Sequence, residues 1–363
     1  MKINFIDLQA QYQEYKAEID KEVSEVFTSA GFIGGPKLDS FEKNIAAYTG
    51  VKHAIGCSSG TDALLLALMA LDIKAGDEVI TTPFTFIATA EVIAFLGAKP
   101  VFVDIDEKTY NIDTSKIEDL ITANTKAIIP VSLYGQCADM NEINAIADRH
   151  NITVIEDACQ SFGAEYKGKK SCALSHIGCT SFFPSKPLGA YGDGGAIFTD
   201  NDELAAKMRM LLNHGQNERY KHKYIGINGR LDAVQAAILD VKLRHFDKEV
   251  KLRQEIGQRY SLLLSGANVV TPHVEADRTS VYAQYSVRVK DRASMVAKLS
   301  EKSIPTAVHY PMPLHLQEAF AYLGYKAGDF PVSEAVSNEI MSLPMSPYLT
   351  DEQQDFIVEA IKG

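Results

Sequence analysis

The chain has 363 residues, of which 46% are hydrophobic and 23% are charged, a composition typical of a folded globular protein. This composition excludes a disordered, collagen-like or mucin-like chain. The length favours two domains, or one large domain with an appendage. A formal net charge of −11 at pH 7 argues against nucleic acid or an anionic membrane surface as the main partner.

Targeting and cysteine features predict a reduced, cytoplasmic protein with no membrane association. The N-terminal residues contain no apolar run long enough for a signal peptide, and the apolar stretch 85–97 is too short to span a bilayer. The five cysteines are scattered without a C-x-x-C pair, and there is no H-E-x-x-H motif. We therefore expect neither structural disulfides nor a metal site.

In chain order, a polar helical arm of ~30 residues ends at the turn cluster 31–36, and an alternation of short apolar runs with helical periods follows. This alternation predicts an α/β layer fold, and the near-continuous apolar runs are typical of strands covered on both faces. The predicted strands are 54–57, 78–81, 100–103, 127–131, 153–156, 180–183 and 195–198, and the predicted helices include 62–71 and 140–150.

The pattern changes after Arg230. Apolar residues recur at helical spacing over 231–241, and a charged helix over 247–264 follows. A strand at 281–289, a helix at 293–300 and a proline-rich loop at 309–315 complete a smaller α+β pattern. We therefore place a helical arm and a large domain at 1–240 and a small C-terminal domain at 241–363.

The first segment that suggests chemistry is 57–62, which lies between a predicted strand and a predicted helix. Serine and glycine ahead of a helix present free backbone N–H groups and the positive end of the helix dipole to an anion. A plain N-cap, in which Ser or Thr satisfies the first turn, explains the same residues equally well.

The second segment, 153–161, places Glu156, Asp157 and Gln160 at the carboxyl end of a predicted buried strand. Ligands bind at this edge of open α/β sheets. A carboxylate buried there needs a cation, such as a protonated ring nitrogen. A helix cap or a structural salt bridge is the alternative.

The third segment, 181–189, places Lys186 directly after an aromatic strand and ahead of the glycine-rich run 192–195. A lysine in apolar surroundings loses solvation, so its neutral amine becomes more accessible and can form a Schiff base. A lysine that extends from a strand end into solvent is the alternative.

Together the three segments predict one cofactor. A helix N-terminus for a phosphate, an acid for a ring cation and a lysine for an aldehyde are the contacts that pyridoxal 5′-phosphate requires. Asp157 and Lys186 lie about 30 residues apart, roughly one βαβ unit, which places them on neighbouring strands.

With these residues in place, the sequence resembles the DegT/DnrJ/EryC1/StrS family of sugar aminotransferases. The matching stretches are 5–8, 60–64, 83–89, 156–164, 181–186 and 192–196. The resemblance implies the α/β architecture of fold-type-I pyridoxal-phosphate enzymes: a mixed, mostly parallel seven-stranded sheet in a large domain, with a smaller α+β C-terminal domain.

The resemblance also implies roles for individual residues. Lys186 holds the cofactor as a Schiff base and then moves the substrate proton, with pyridoxamine phosphate as the alternate cofactor form, and Asp157 pairs with the pyridine nitrogen. Gln160 lies near the ring hydroxyl and Phe86 against the ring face. The residues implied to bind the phosphate are Gly60, Thr61 and Ser181, together with Asn228 from the neighbouring subunit of an obligate homodimer with shared sites.

The substrate prediction follows from three loops, 132–140, 183–189 and 306–311. Within the family they are most similar to aminotransferases that act on UDP-2-acetamido-2-deoxy-3-oxo-glucuronic acid in O-antigen synthesis, with glutamate as amino donor. Arg230, His309 and Tyr310 are then candidates for the sugar carboxylate or diphosphate, since guanidinium binds carboxylates in a bidentate manner. A helix cap at Arg230 and a packed loop at His309 are the alternatives.

Other functions stay open on the sequence alone. A 3- or 4-keto-6-deoxyhexose aminotransferase acting on a dTDP or UDP sugar would share the same cofactor residues, and a non-catalytic regulatory protein would share the fold. A nicotinamide-dependent oxidoreductase is disfavoured because no G-x-G-x-x-G motif opens a helix after a strand.

Overall fold

The structure is a computed structural model that describes residues 1–363. Its strands and helices are numbered in chain order. The strands are β1 (His53–Cys57), β2 (Glu78–Thr81), β3 (Lys99–Phe102), β4 (Thr125–Ile128), β5 (Thr153–Asp157), β6 (Glu165–Tyr166), β7 (Lys169–Lys170), β8 (Ile177–Ser181), β9 (Gly195–Thr199), β10 (Gln216–Glu218), β11 (Lys221–His222), β12 (Tyr285–Arg288) and β13 (Ile340–Leu343). The helices are α1 (Leu8–Ser29), α2 (Pro36–Thr49), α3 (Gly60–Ala70), α4 (Ala88–Phe95), α5 (Met140–His150), α6 (Asp202–Leu211), α7 (Ala233–Arg244), α8 (Phe246–Leu263), α9 (Arg292–Glu301), α10 (Pro331–Glu339) and α11 (Asp351–Lys362). None of these helices combines the length and hydropathy needed to cross a membrane.

Seven strands form the central sheet in the order β1-β9-β8-β5-β4-β2-β3. The pairs β2–β3, β2–β4, β4–β5 and β5–β8 are parallel, whereas β9 runs antiparallel to both β8 and β1. The predicted mixed, mostly parallel seven-stranded sheet is therefore confirmed.

Helices cover both faces of this sheet, which explains why its strands are apolar on both sides. On one face, α3 is buried through Leu64, Leu66 and Leu68, in one cluster with Ile155 and Ile197 of the sheet. On the other face, α2, α5 and α7 pack in a second cluster. The sheet is thus a rigid layer, and the loops at its carboxyl edge are held by two hydrophobic cores.

Among the sheet strands only 78–81 has the predicted bounds; four others differ by one residue at one or both ends, and the strand predicted at 127–131 is Thr125–Ile128. Two further predictions differ for a reason that the packing shows. The strand predicted at 180–183 is Ile177–Ser181, because the Phe182 carbonyl accepts from the Ala190 N–H at 2.7 Å in the loop that follows and Phe183 leaves the core. The strand predicted at 281–289 is only Tyr285–Arg288. Its first residues instead pack on the large domain, where the Val281 N–H donates to Gly135 O at 3.0 Å.

The C-terminal region has a core of its own around the antiparallel pair β12–β13. Tyr260, Tyr285, Leu343 and Ile357 belong to this core, and Ile3 from the N-terminus joins it. Because this core is separate, we propose that the small C-terminal domain begins near residue 240.

Candidate active site

A pocket of about 450 Å³ lies at the carboxyl ends of β5 and β8, beside the N-terminus of α3. Open α/β sheets bind ligands at this edge. Nine of the predicted site residues line the pocket: Gly60, Thr61, Phe86, Asp157, Gln160, Ser181, Lys186, His309 and Tyr310. The fold therefore gathers side chains from five separate chain segments into one site.

The N-terminus of α3 forms one end of the pocket. Ser59 is the N-cap, and its hydroxyl oxygen accepts a hydrogen bond from the Asp62 N–H at 3.0 Å. The backbone N–H groups of Gly60 and Thr61 have no acceptor within the chain. They therefore combine with the helix dipole as a ready site for an anion. The N-cap and the anion site, which the sequence left as alternatives, coexist on adjacent residues.

Gly60 is required here by close packing. A β-carbon at this position would lie 2.6 Å from Cβ of Ser181 and 2.8 Å from Sγ of Cys159. Any side chain would therefore displace β8 or the segment after β5, and would fill the space in front of the helix N-terminus.

Asp157 ends β5 and is only 4% exposed. Its Oδ2 accepts a hydrogen bond from the Thr89 hydroxyl at 2.8 Å, and its Oδ1 accepts one from the Cys159 N–H at 3.2 Å. It makes no salt bridge within the chain, so the buried charge is without a cationic hydrogen-bond partner. A buried carboxylate in this state is suited to a cationic ligand group.

Lys186 lies in a tight turn after β8, where its backbone N–H donates to Phe183 O at 2.8 Å. Its side chain is half-buried in the pocket. Burial lowers the pKa of the Lys186 amine from its ordinary 10.5, although the charges of Cys159 and Asp157 oppose this shift. More of this amine is therefore neutral and nucleophilic near pH 7 than in an exposed lysine.

Gln160 joins the segment after β5 to Tyr134 and to Tyr310 of the C-terminal region. Its Oε1 accepts from the Tyr134 N–H at 2.9 Å, and its Nε2 donates to the Tyr310 hydroxyl oxygen at 3.1 Å. The Tyr134 hydroxyl donates in turn to the carbonyl of His309. The amide of Gln160 is thus fixed in orientation, with one N–H left for a ligand.

Aromatic rings form the outer wall. Phe86 is 54% exposed, and its ring centroid lies 6.2 Å from that of Tyr310 at an interplanar angle of 37°. An exposed phenyl ring beside a buried acid offers a flat apolar surface on which a heteroaromatic ring can stack.

His309 joins this wall from the small domain. Its Nδ1 is 3.0 Å from the Ser342 hydroxyl oxygen. Burial, together with the charge of Lys186, lowers the pKa of His309 below its ordinary 6.5. The imidazole is therefore neutral at pH 7, and it serves as a hydrogen-bond donor or acceptor rather than as a cation.

Two predicted residues, Asn228 and Arg230, do not line this pocket. Asn228 is exposed and pairs through its backbone with Asn213. Arg230 donates from Nη1 to Asn213 Oδ1 at 2.7 Å, and its buried Nε has no partner.

Sequence reasoning gave no role to two further pocket residues, Thr89 and Gln284. Thr89 lies in the first turn of the apolar helix α4, and its hydroxyl shares a 3.0 Å hydrogen bond with that of Thr85, which precedes the helix. Two threonines four residues apart at the start of an apolar helix were the available signal. Gln284 has a buried Oε1 without a partner, and only the packing of the two domains reveals it.

These residues fit pyridoxal 5′-phosphate. The open N–H groups at Gly60 and Thr61, where a β-carbon would obstruct, suit its phosphate. The unpaired carboxylate of Asp157 suits its protonated ring nitrogen, and the Lys186 amine suits its aldehyde. The same donor set offers no group of metal ligands.

Known proteins agree with this chemistry. The DegT/DnrJ/EryC1/StrS aminotransferase family profile matches residues 13–362. The chain is 52% identical over 359 residues to a Pseudomonas aeruginosa protein named UDP-2-acetamido-2-deoxy-3-oxo-D-glucuronate aminotransferase, and the match covers 99% of each chain. It is 50% identical over 364 residues to a Geobacillus stearothermophilus protein named pleiotropic regulatory protein, which covers 99% of this chain and 98% of that one.

Solved structures show the same similarity. The structure of S. venezuelae DesV in complex with a ketimine intermediate superposes with a TM-score of 0.98 at 38% identity, over 99% of this chain and 98% of that one. Bacillus subtilis NtdA with bound cofactor PMP superposes with a TM-score of 0.90 at 34% identity, over 98% and 82% of the two chains. The chain therefore belongs to the DegT/DnrJ/EryC1/StrS aminotransferase family and is a pyridoxal-phosphate-dependent aminotransferase.

Proposed function

We propose that this enzyme transfers the amino group of glutamate to UDP-2-acetamido-2-deoxy-3-oxo-glucuronic acid, in the cytoplasm, for O-antigen or related surface polysaccharide synthesis. The observation that carries the substrate proposal is the 52% identity, over 99% of both chains, to the P. aeruginosa aminotransferase of that name. The pocket supports the reaction class, because it places an amine, a buried acid and an anion site within one cavity.

Pyridoxal phosphate, when bound, supplies the aldehyde that captures the amine and the ring that accepts electrons from the breaking Cα–H bond. Lys186 is the residue that we propose to hold the cofactor and to move the proton. Because burial lowers the pKa of its amine, Nζ would take the proton from Cα of the amino donor and deliver it to C4′ of the cofactor. With the keto acceptor it would move a proton in the opposite sense, from C4′ to the carbon that receives nitrogen.

We propose that Asp157 holds the proton on the ring nitrogen. The hydrogen bonds from Thr89 and from the Cys159 N–H orient both carboxylate oxygens. A carboxylate held in this orientation favours the protonated form of a base placed beside it.

Phosphate binding is assigned to the N-terminus of α3. Gly60 and Thr61 offer backbone N–H groups, and Ser181, which packs against Gly60, lines the same pocket with its hydroxyl-bearing side chain. Hydrogen bonds to a dianion are stronger than those between neutral groups, so these donors would hold the cofactor phosphate.

The sugar carboxylate or diphosphate is assigned to His309, Tyr310 and Arg230. His309 and Tyr310 line the pocket from the small domain. Arg230 is proposed to act together with a second subunit, since within one chain it is held by Asn213.

We also propose a homodimer in which Asn228 reaches the cofactor phosphate of the partner subunit. The exposure of Asn228, away from its own pocket, supports this assignment. Mixing inactive Lys186→Ala and Asn228→Ala subunits tests it. Mixed dimers should regain one intact site and measurable turnover, and no recovery after confirmed subunit exchange would refute the shared site.

A panel of keto nucleotide sugars, each incubated with enzyme and glutamate and analysed by mass spectrometry, tests the substrate. Amination of the 3-oxo uronate is expected. Amination of a 4-keto-6-deoxy sugar alone would favour the deoxyhexose alternative. No turnover with any acceptor, in enzyme that is fully loaded with cofactor, would favour a regulatory role like that in the name of the G. stearothermophilus relative.

A further inference from the structure

A second buried lysine lies behind the active site. Lys242 of α7 is only 3% exposed, and its Nζ donates a hydrogen bond to the backbone carbonyl of Gly189. The same ammonium lies 4.7 Å from the ring centroid of Tyr191, a cation–π distance. Both contacts are made to the segment that follows Lys186.

The segment from Phe182 to Ala190 is a closed loop. The Ala190 N–H donates to Phe182 O at 2.7 Å, which joins the two ends, and the Lys186 N–H donates to Phe183 O at 2.8 Å. The loop is compact, because a β-carbon at Gly189 would lie 2.3 Å from Pro184 O. Movement of Gly189 therefore shifts the turn that carries Lys186.

Burial of a lysine is unfavourable, and the surroundings do not neutralise Lys242 by a direct salt bridge. Burial, together with the buried Arg253, lowers the pKa of Lys242 to about 8, whereas Glu249 opposes the shift. The Glu249 carboxylate is instead hydrogen-bonded to Gln11 and Tyr348. The hydrogen bond of the Lys242 ammonium therefore goes to the Lys186 loop.

We propose that Lys242 is a positioning residue, which fixes the loop 182–190 through the Gly189 carbonyl so that the Lys186 amine is aimed at the cofactor aldehyde. Gln235, also on α7, supports the same loop end, because its Oε1 accepts from the Tyr191 N–H at 2.9 Å. The inference rests on the proposed role of Lys186.

The test is the rate at which cofactor-free full-length enzyme regains visible absorbance after addition of pyridoxal phosphate. This rate reports attack by Lys186 and is independent of turnover. Lys242→Met should slow it about tenfold, in line with the loss of one charged hydrogen bond. Lys242→Arg, which retains a donor and a cation, should restore most of the rate.

Arg253→Met is the matched control. Arg253 is an equally buried cation of the same cluster, but it donates to Tyr282 O at 3.3 Å and does not touch the Lys186 loop. Its loss should lower the melting temperature and leave the rate unchanged. If Arg253→Met and Lys242→Met slow the return of absorbance equally, Lys242 only stabilises the core and does not position the Lys186 loop.

Gln235→Ala keeps the inference testable if Lys242→Met does not fold, because Gln235 is only half-buried. It should slow the return of absorbance severalfold, and a wild-type rate in this variant would overturn the inference. Trapping of the cofactor on Lys186 in the wild-type enzyme separates the two possible failures. If Lys186 is labelled but Lys242→Met and Gln235→Ala regain absorbance at the wild-type rate, only the positioning role of Lys242 is wrong.

Discussion

The Nε2 of Gln160 donates a hydrogen bond to the hydroxyl oxygen of Tyr310 at 3.1 Å, across 150 residues of sequence. This contact joins the segment after β5 to the small domain, and it orients an amide that is proposed to face the cofactor ring. The C-terminal region is therefore part of the pocket.

Tyr310→Phe should weaken cofactor binding about three- to tenfold, because it removes one hydrogen bond worth about 1 kcal/mol and frees Gln160 to rotate. Equilibrium dissociation of pyridoxal phosphate measures this effect. Tyr322→Phe, at an exposed position of the same domain, is the control and should not change it. Equal affinities for pyridoxal phosphate in the wild type, Tyr310→Phe and Tyr322→Phe would show that Tyr310 does not orient Gln160 for cofactor binding.

Thr89→Val should lower turnover about tenfold or more. The substitution keeps the side-chain shape but removes the 2.8 Å hydrogen bond to Asp157 Oδ2, and a hydrogen bond to a charged group contributes about 1.5–3 kcal/mol. Steady-state kinetics with glutamate measures the loss. Thr49→Val is the control, since that buried hydroxyl contacts only carbonyls of its own helix. Unchanged turnover in Thr89→Val would remove Thr89 from the support of Asp157.

Asp157→Asn should retain some cofactor but lose turnover by ~100-fold or more, because an amide does not hold a proton on the ring nitrogen. Cofactor content and the half-reaction with glutamate are measured on the same sample. Glu156→Gln is the control, because it alters the adjacent carboxyl group, whose partners are Ser132, Ser171 and the Cys172 N–H. Near-normal turnover in Asp157→Asn would exclude the proposed role.

Glu156 predicts a pH dependence of stability. Complete burial raises the pKa of its carboxyl group from 4.5 to about 7. Between these values the unfolded chain has lost the proton and the folded chain keeps it. Stability therefore falls as pH rises through this window, by up to about 3 kcal/mol.

Glu156→Gln should remove this slope, because an amide can donate to the Ser132 and Ser171 hydroxyl oxygens and accept from the Cys172 N–H without a charge. Urea unfolding of both proteins between pH 4.5 and pH 8 measures the difference. The variant should gain stability relative to wild type as pH rises. Parallel curves would mean that Glu156 titrates normally.

The sequence predicted the residues at the carboxyl ends of adjacent strands, since parallel strands bring these ends together. Asp157 and Lys186 lie in one pocket for this reason. Contacts that depend on domain packing were not predictable. Gln160 and Tyr310 meet only because the loop after residue 305 crosses to the large domain, and nothing in either local pattern marks that pairing.

Strand ends were also poorly predicted where apolar residues belong to a loop or pack against another part of the chain. The aromatic run at 182–183 is typical of a strand, yet it enters the loop that carries Lys186, because the backbone hydrogen bond between Ala190 N–H and Phe182 O closes that loop. The alternation at 281–284 likewise reads as strand but packs the small domain on Gly135. In both places, tertiary contacts replace the sheet hydrogen bonds that the pattern predicts.

The chemistry of Lys186 is tested most directly by reduction of the cofactor-loaded enzyme with borohydride, followed by proteolysis and mass spectrometry. The peptide that contains Lys186 should carry the reduced cofactor, and Lys186→Ala should carry none at any position. Stable attachment to another lysine, or no attachment in a protein that holds its cofactor, would contradict the assignment of Lys186.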